Sequence, residues 1–204
     1  MMNMPASTLQ LRPSPALAPF IQQLWWSKSA DNGLVSREHV LPTGQMHMVF
    51  RLSGPSLRVF SSAHDTTGQA VHGPVVGGAR SRFYAKEMGA EVVSIGAVLR
   101  PGVAQILFGV SAAELAERHT PLCDLWGARA NHAMEQLLDA PSRQQQLTVL
   151  ESVLAAQLPK LKGLHPAVAH ALQSDRDWRV EDWVRSSHYS HRGFISIFKQ
   201  ATGL

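Results

Sequence analysis

The sequence predicts an α+β protein with a β-rich N-terminal domain, sandwich or barrel-like, that carries helical additions and precedes an all-α helix-turn-helix segment. Before residue 100, short runs of β-branched and aromatic residues alternate with glycine and proline breakers, which is typical of sandwiches and barrels. After Pro101 and Gly102 the apolar residues take a helical spacing. The stretch from Pro159 to Pro166 has the composition of a linker, so we expect domains over residues 1–158 and 165–204.

Seven runs in the first hundred residues have the composition of strands. They are Phe20–Trp26, Arg37–Leu41, Met46–Leu52, Leu57–Phe60, Val71–Val76, Ser81–Ala85 and Glu91–Leu99. The Ser-Gly-Pro-Ser stretch at 53–56 predicts a hairpin between the third and fourth runs. Alternation places His47 on one face of its strand and Met48 on the other. The sequence leaves open which of these faces is inward.

Two helix starts are predicted between the strands and the linker. Ser111 to Glu114 and Ser142 to Gln145 both have the spacing of a capping box. Apolar residues continue at helical spacing after the second of these, at Leu147, Leu150, Val153, Leu154 and Leu158. This helix either packs on the sheet, which is the ordinary explanation, or forms a dimer interface.

The last residues, 177–203, predict two amphipathic helices around a polar break. Asp177 is the expected N-cap of the first helix and Ser190 that of the second, since a side-chain oxygen can accept from the free N–H groups of a first turn. Gly203 stands where helices often end in a left-handed residue. The second helix divides into an apolar face of Phe194, Ile197, Phe198 and Ala201, and an outer face of His191, Arg192, Ile195, Ser196 and Lys199.

The C-terminal segment resembles the first helix-turn-helix of AraC/XylS-type transcriptional regulators. The resemblance rests on the apolar positions, the Ser190 cap, Phe198 and the Ala-Thr-Gly ending at 201–203. Stretches 38–50, 95–115 and 121–127 also resemble the sensor domain of one branch of that family. Three positions depart from the pattern: Val184 replaces the usual Ala, His188 a Gly in the turn, and Ser196 an Arg.

The resemblance implies a cytoplasmic regulator that binds double-stranded DNA, senses a small-molecule effector or dimerises through its N-terminal domain, and needs no cofactor. Its second helix would present the DNA-binding residues Ser190, His191, Arg192, Ser196 and Lys199, by analogy with recognition helices in the major groove. Val184 and His188 suggest a less tight turn than usual. The family has a second helix-turn-helix after this one, and the sequence ends before it at Leu204, so we expect weak DNA binding. The alternative is a ligand-binding or dimerising module without its own DNA-binding activity.

Composition and charge fit this interpretation. The net charge is +4, which favours nucleic acid only weakly. Residues 160–204 hold 7 basic and 4 acidic side chains, whereas 101–159 hold 3 and 6. The single cysteine, Cys123, excludes an internal disulfide framework and is expected to be a small buried residue. No apolar run reaches the roughly 18–20 residues of a membrane span, and the N-terminus lacks the pattern of a signal peptide.

An enzyme or metal site is the third class of function. Glu38, His39 and His47 lie on neighbouring candidate strands, and a barrel could bring them together around a metal. The sequence carries no nucleophile elbow, P-loop or His-Glu-x-x-His motif, so we expect neither metal nor catalysis. Aromatic residues could line a ligand cavity, although core packing is the ordinary role of aromatic residues in strands; they are Trp25, Trp26, Phe50, Phe83, Tyr84 and Trp126.

Overall fold

A computed structural model describes residues 7–30, 35–62, 64–158, 165–173 and 179–203. Within these ranges the chain forms ten strands in two antiparallel sheets and eight helices. The strands are β1 (Ser7–Leu11), β2 (Ile21–Lys28), β3 (Ser36–Val40), β4 (Met46–Ser53), β5 (Leu57–Phe60), β6 (Gln69–Val71), β7 (Val75–Gly77), β8 (Tyr84–Met88), β9 (Val93–Leu99) and β10 (His119–Pro121). The helices are α1 (Ala104–Phe108), α2 (Ala112–Leu115), α3 (Leu122–Trp126), α4 (Ala128–Asp139), α5 (Arg143–Gln157), α6 (Pro166–Gln173), α7 (Val180–Ser187) and α8 (His191–Thr202).

The larger sheet has the strand order β1-β2-β9-β4-β7-β10, and the smaller sheet has the order β3-β8-β5-β6. This confirms the α+β class, with a β-rich N-terminal region and helices towards the C-terminus. The two sheets face each other across a cavity. The helices pack on the other face of the larger sheet. The predicted division into domains stays a prediction, because most of its linker, residues 159–164, lies outside the described residues.

The main core lies between the larger sheet and the helices. Met48, Phe50 and Ile95 are fully buried on the helical side of the sheet. Helix α5 packs against β2 and β9. It contributes Leu147, Leu150 and Leu154 to the same core, each 0% exposed. Each such leucine contributes about 2 kcal/mol through removal of its surface from water. The apolar face of α5 is therefore used in core packing.

Both predicted caps are present at the helix starts. Ser111 Oγ accepts from the N–H of Glu114, and the Glu114 carboxylate accepts from the N–H of Ser111 at 2.9 Å. Ser142 Oγ accepts from the N–H of Gln145 at 3.3 Å. These contacts satisfy backbone donors that a helix start leaves free.

Two strand predictions are wrong because the chain changes sheets where the sequence suggested continuity. β4 and β5 do not pair as a hairpin: β4 belongs to the larger sheet and β5 to the smaller. Gly54, at φ +93°, makes the crossing, and a Cβ there would lie 2.6 Å from the Glu91 carbonyl. The run Val71–Val76 likewise divides into β6 and β7 in different sheets. Gly73 has a φ of +69° and Pro74 has no N–H to donate to a ladder, so the strand is interrupted there.

The prediction for Cys123 is also wrong. It lies on the exposed side of α3, with its Sγ 3.6 Å from Asp124 Oδ1. Leu122 and Trp126 of the same helix point inward, which leaves Cys123, at the second position of this short helix, facing water.

Candidate functional site

A cavity of about 690 Å³ lies between the two sheets. This is within the range of roughly 300–1,000 Å³ usual for small-molecule sites. β2, β4 and β9 of the larger sheet form one wall, and β3 and β8 of the smaller sheet form the other. The cavity reaches the surface beside Val35 and Leu41, which are 79% and 73% exposed.

The alternation along β4 decides which residues face the cavity. Met46, Met48 and Phe50 point to the helical core, so His47 and Arg51 point to the cavity. Strand pairing then sets His47 beside Gly77, and Gly77 beside His119 on β10. Because Gly77 has no side chain, the two histidines face one another across an open position of the sheet.

The next row of the larger sheet carries an aromatic wall. Trp25 pairs with Gly96, which pairs with Val49 on β4. A Cβ at Gly96 would lie 2.6 Å from the Trp25 indole and closer still to the carbonyl of Met48. The glycine therefore allows the indole to lie flat over β9, where it lines the cavity.

Arg80, Tyr84 and His119 form a cluster in the cavity wall, which we call the Arg80 cluster. The Arg80 guanidinium lies over the Tyr84 ring, 4.5 Å from its centroid, and the Tyr84 and His119 rings meet edge to face at 4.9 Å. Arg80 Nη2 donates to His119 Nδ1 at 3.1 Å. Arg80 Nε is buried and has no hydrogen-bond partner among the described residues.

Burial controls the protonation of this cluster. Desolvation, with the charge of Arg80 and the proximity of His47, lowers the pKa of His119 to about 4. His119 is therefore neutral at neutral pH. Since Arg80 can only donate, His119 Nδ1 accepts and the ring proton is on Nε2, which lies over Gly77. Burial also lowers the pKa of His47 and raises that of Tyr84.

The remaining charges of the cavity divide into compensated and uncompensated groups. Lys86 and Glu38 face each other on β8 and β3 and form an ion pair at 3.3 Å. Arg51 donates to the carbonyl of Pro55 at 2.7 Å. Neither Arg51 nor Arg80 has a carboxylate within ion-pair distance in the described ranges. The cavity therefore has an excess of positive charge.

The trio of Glu38, His39 and His47 does not converge. β3 and β4 lie in different sheets, and His39 faces outward against Phe83, with ring centroids 5.2 Å apart. No group of three His, Cys, Asp or Glu side chains suited to a metal occurs in the part of the chain that the structure describes. Of the aromatic residues considered for a cavity, Trp25 and Tyr84 line it, whereas Phe50 and Trp126 belong to the core.

Sequence reasoning did not find Arg51, Arg80 or His119. For Arg51 the signal was available: it shares the parity of His47 on a strand whose other face is entirely apolar. For Arg80 and His119 there was none, because a loop and a three-residue strand bring them together from 39 residues apart.

The second candidate site is the outer surface of α8. All five residues predicted to contact DNA are exposed: Ser190, His191, Arg192, Ser196 and Lys199. Ser190 is the N-cap, with its Oγ accepting from the N–H of Gly193 at 3.1 Å. On the opposite side Phe194 is 3% exposed and stacks on Phe198, with ring centroids 5.9 Å apart. The division into two faces is as predicted, while the contact with DNA stays a prediction.

The turn before α8 is short. α7 ends at Ser187 and α8 begins at His191, and His188 adopts the left-handed conformation at φ 60°. The looser turn expected from His188 is therefore wrong, because this residue takes the backbone conformation that a glycine would take. Arg179, rather than Asp177, occupies the N-cap of α7, where its N–H donates to Asp182 Oδ2 at 3.2 Å. Asp177 itself lies outside the described residues.

The C-terminal end of α8 packs on the β-rich domain. The N–H of Gly102 donates to the carbonyl of Ala201 at 2.6 Å, and Thr202 is 4% exposed. α8 also contacts α2. The end of the outer helix is therefore held by the same part of the fold that follows β9.

These features define a two-sheet β domain with an internal cavity and a C-terminal helix pair packed against it. The chain belongs to the DUF6597 family, a domain of unknown function, whose model matches residues 9–121. The match runs from within β1 to the end of β10, and therefore includes both sheets. The chain matches no curated protein sequence. No helix within the described ranges has the length and apolar character needed to cross a membrane.

Three solved structures align with most of this chain. ToxT from Vibrio cholerae aligns with 84% of this chain and 76% of its own, at 8% identity and a TM-score of 0.40. The AraC-like transcriptional activator CuxR aligns with 95% and 89%, at 12% identity and a TM-score of 0.33. PhpD, with cadmium and a bound phosphonate, aligns with 89% and 56%, at 12% identity and a TM-score of 0.28. Similarities of this size assign no function to the chain.

Proposed function

We propose that this protein is a ligand-responsive transcriptional regulator of the AraC/XylS type, in which the cavity binds a small effector and α8 contacts double-stranded DNA. The observation that carries the proposal is the combination of a built cavity with an exposed polar helix held against the same domain. Neither half needs a catalytic step, and we propose no enzymatic activity.

The DNA-binding half of the proposal rests on the two faces of α8. Arg192 and His191 lie in its first turn, where recognition helices contact base edges, and Lys199 lies nearer its end, where a phosphate contact is expected. The outer face has no acidic side chain. Two cationic side chains on one helix are few, so the expected affinity is low and strongly dependent on salt.

The sensing half rests on the composition of the cavity. Its walls combine the Trp25 indole and apolar strand residues with the Arg80 cluster. Small-molecule sites characteristically join a mainly apolar lining with a few placed polar groups. Such a lining favours an organic ligand over a bare ion.

A short segment, Gly78-Ala79-Arg80, lies between the two halves. Gly78 and Arg80 line the cavity, and Ala79, which is 1% exposed, has its Cβ 3.4 Å from the position of a Cβ on Gly203. The N–H of Gly78 donates to the backbone carbonyl of Arg118, and the carbonyl of Ala79 accepts from the backbone N–H of Glu117. An effector that moves this segment would change the support of α8, which is the physical link that regulation requires.

The test is the salt dependence of binding to random duplex DNA. If Lys199 contacts a phosphate, its change to Gln lowers the slope of log affinity against log salt by about 0.9. Lys28 to Gln, a change at an exposed lysine paired with Glu91, is the matched control and leaves the slope unchanged. An equal slope in the wild type and the Lys199 variant contradicts the proposed DNA face.

A second candidate is a ligand-binding module without DNA-binding activity. The presence of Ser196 where the resembled family has an arginine favours it, because that position then contributes no charge. Absence of DNA binding at low salt, together with saturable binding of a small molecule, would select this function.

A further inference from the structure

At one end of the cavity, the charge and hydrogen-bond donors of Arg80 restrict which ligands can bind. There the guanidinium of Arg80 has no carboxylate within ion-pair distance among the described residues, the nearby Glu117 carboxylate acting on it only at longer range, and its buried Nε–H has no partner. A buried donor without a partner destabilises the folded protein, and more so when it belongs to a charged group. A bound anion would give the guanidinium a charged partner at hydrogen-bond distance.

Resting on the proposed sensor function, we propose that the Arg80 cluster binds the carboxylate of a small organic anion whose apolar body lies along Trp25. The planar fork of arginine matches a carboxylate in charge and geometry. The Nε2–H of His119, set over the open position at Gly77, is a second donor. The row that contains Trp25, Gly96 and Val49 lies next to the row of His47 and Gly77, which puts the apolar wall beside the donors.

The charge balance of the cavity favours a monoanion. Lys86 is compensated by Glu38 at 3.3 Å, and Glu87 lies 3.8 Å from Arg58. Arg51 already donates to the carbonyl of Pro55, and His119 and His47 are held neutral by burial. The Arg80 cluster itself offers one cation for one negative charge, and Arg51, the other cation of the cavity without a carboxylate partner, lies two rows further along β4 than His47.

The test uses two pairs of probes that differ only in charge: benzoate with benzamide, and hexanoate with hexanamide. Calorimetric titration of the full chain is expected to give saturable binding of at least one carboxylate, tenfold or more tighter than its amide, because hydrogen bonds to a charged partner are stronger than those to a neutral one. Arg80→Gln is expected to abolish this preference while leaving amide binding unchanged. Arg82→Gln, a change at an exposed arginine two positions away, is the control and keeps the preference.

The comparison of carboxylate with amide in the wild type does not depend on whether the Arg80 variant folds. Equal affinity for carboxylate and amide, lack of binding by both carboxylates at millimolar concentration, or an Arg80→Gln protein that keeps the preference overturns the anion site. DNA binding measured on the same samples separates the two proposals. If the protein prefers the carboxylate but does not bind DNA, the anion site is supported and the regulator is rejected. If it binds DNA but shows no preference for the carboxylate, the regulator is supported and the anion site is rejected.

Discussion

Gly203 ends helix α8 directly against the backbone carbonyl of Ala112. Its φ is +82°, and a Cβ at this position would lie 2.9 Å from the Ala112 oxygen. Ala112 is the first residue of α2 and is fully buried. The last turn of the outer helix is thus fitted to the β-rich domain by a residue that must lack a side chain.

Gly203→Ala should therefore weaken the attachment of α8. The left-handed backbone costs an L-residue about 1–2 kcal/mol, and the contact with the Ala112 carbonyl adds to this. Hydrogen exchange of the α8 amides should become faster while that of β4 and β9 does not change. Gly109→Ala has a similar φ of +74° with nothing within 4 Å of its Cβ, and should leave α8 exchange unaltered. Unchanged exchange in α8 of the Gly203 variant would contradict the fitted contact.

His188→Gly should stabilise the helix pair. His188 is exposed and adopts φ 60°, a conformation that glycine reaches without steric cost. The gain, reduced by the larger entropy of glycine in the unfolded chain, is expected to be up to about 1 kcal/mol in urea unfolding. Ser186→Gly, at an exposed site within α7, is the control and should lower stability by about 0.5–1 kcal/mol. A loss of stability in the His188 variant would show that contacts of the imidazole stabilise the protein by more than the left-handed backbone costs.

Gly96→Ala should destabilise the sheet and displace the wall of the cavity. The added methyl would meet the Trp25 indole at 2.6 Å as well as the backbone of Met48, and overpacking of this kind costs about 1–3 kcal/mol. Gly77→Ala is the matched control on the same face, where the methyl would be 3.6 Å from the His119 ring, an ordinary contact. Denaturant unfolding with tryptophan fluorescence should separate the two variants, and equal stabilities would argue against the close approach of Trp25.

Stability should fall as the pH is lowered from 6.5 towards 4. His119 has a pKa of about 4 in the folded protein, against 6.5 in an unfolded chain, so the unfolded state binds more protons in this window. At about 1.4 kcal/mol per pKa unit, the loss attributable to His119 is at most about 3 kcal/mol. Burial of His47 acts in the same direction. The slope of unfolding free energy against pH should be smaller in His119→Gln. An unchanged slope would mean that a group other than His119 causes the pH dependence.

Arg192→Ala should weaken sequence-specific DNA binding by about 1–3 kcal/mol, the value of a good base contact. Arg192 is exposed in the first turn of α8. Arg185→Ala, at an exposed arginine on α7 that lies 3.6 Å from Asp182, is the control and should change binding little. Gel-shift titration with a selected operator measures both, and equal effects of the two changes would remove Arg192 from the base-reading face.

The β-rich half shows what a strand pattern can predict. Runs such as Met46–Leu52 and Leu57–Phe60 were recognised because burial imposes a period of two on a strand. Their partners were not, since pairing depends on residues far apart along the chain. β9 lies between β2 and β4, and the local Ser-Gly-Pro-Ser signal at 53–56 gave a hairpin where the chain changes sheets.

The C-terminal pair was predicted more fully, because its determinants are local. The Ser190 cap, the apolar face around Phe194 and the ending at Gly203 each depend on residues within a few turns. The packing of Gly203 on Ala112 was not foreseen, since it joins residues from separate parts of the chain.

The sequence by itself determined the α+β class, most strand positions, the caps of α2, α5 and α8, and the two faces of α8, because periodicity and capping act over short distances. Only the tertiary structure decided that both faces of β4 are covered, one by the helical core and one by the cavity. It also decided that Arg80, Tyr84 and His119 meet. The cavity between the two sheets is lined by strands from distant parts of the chain, and no local pattern carries that relationship.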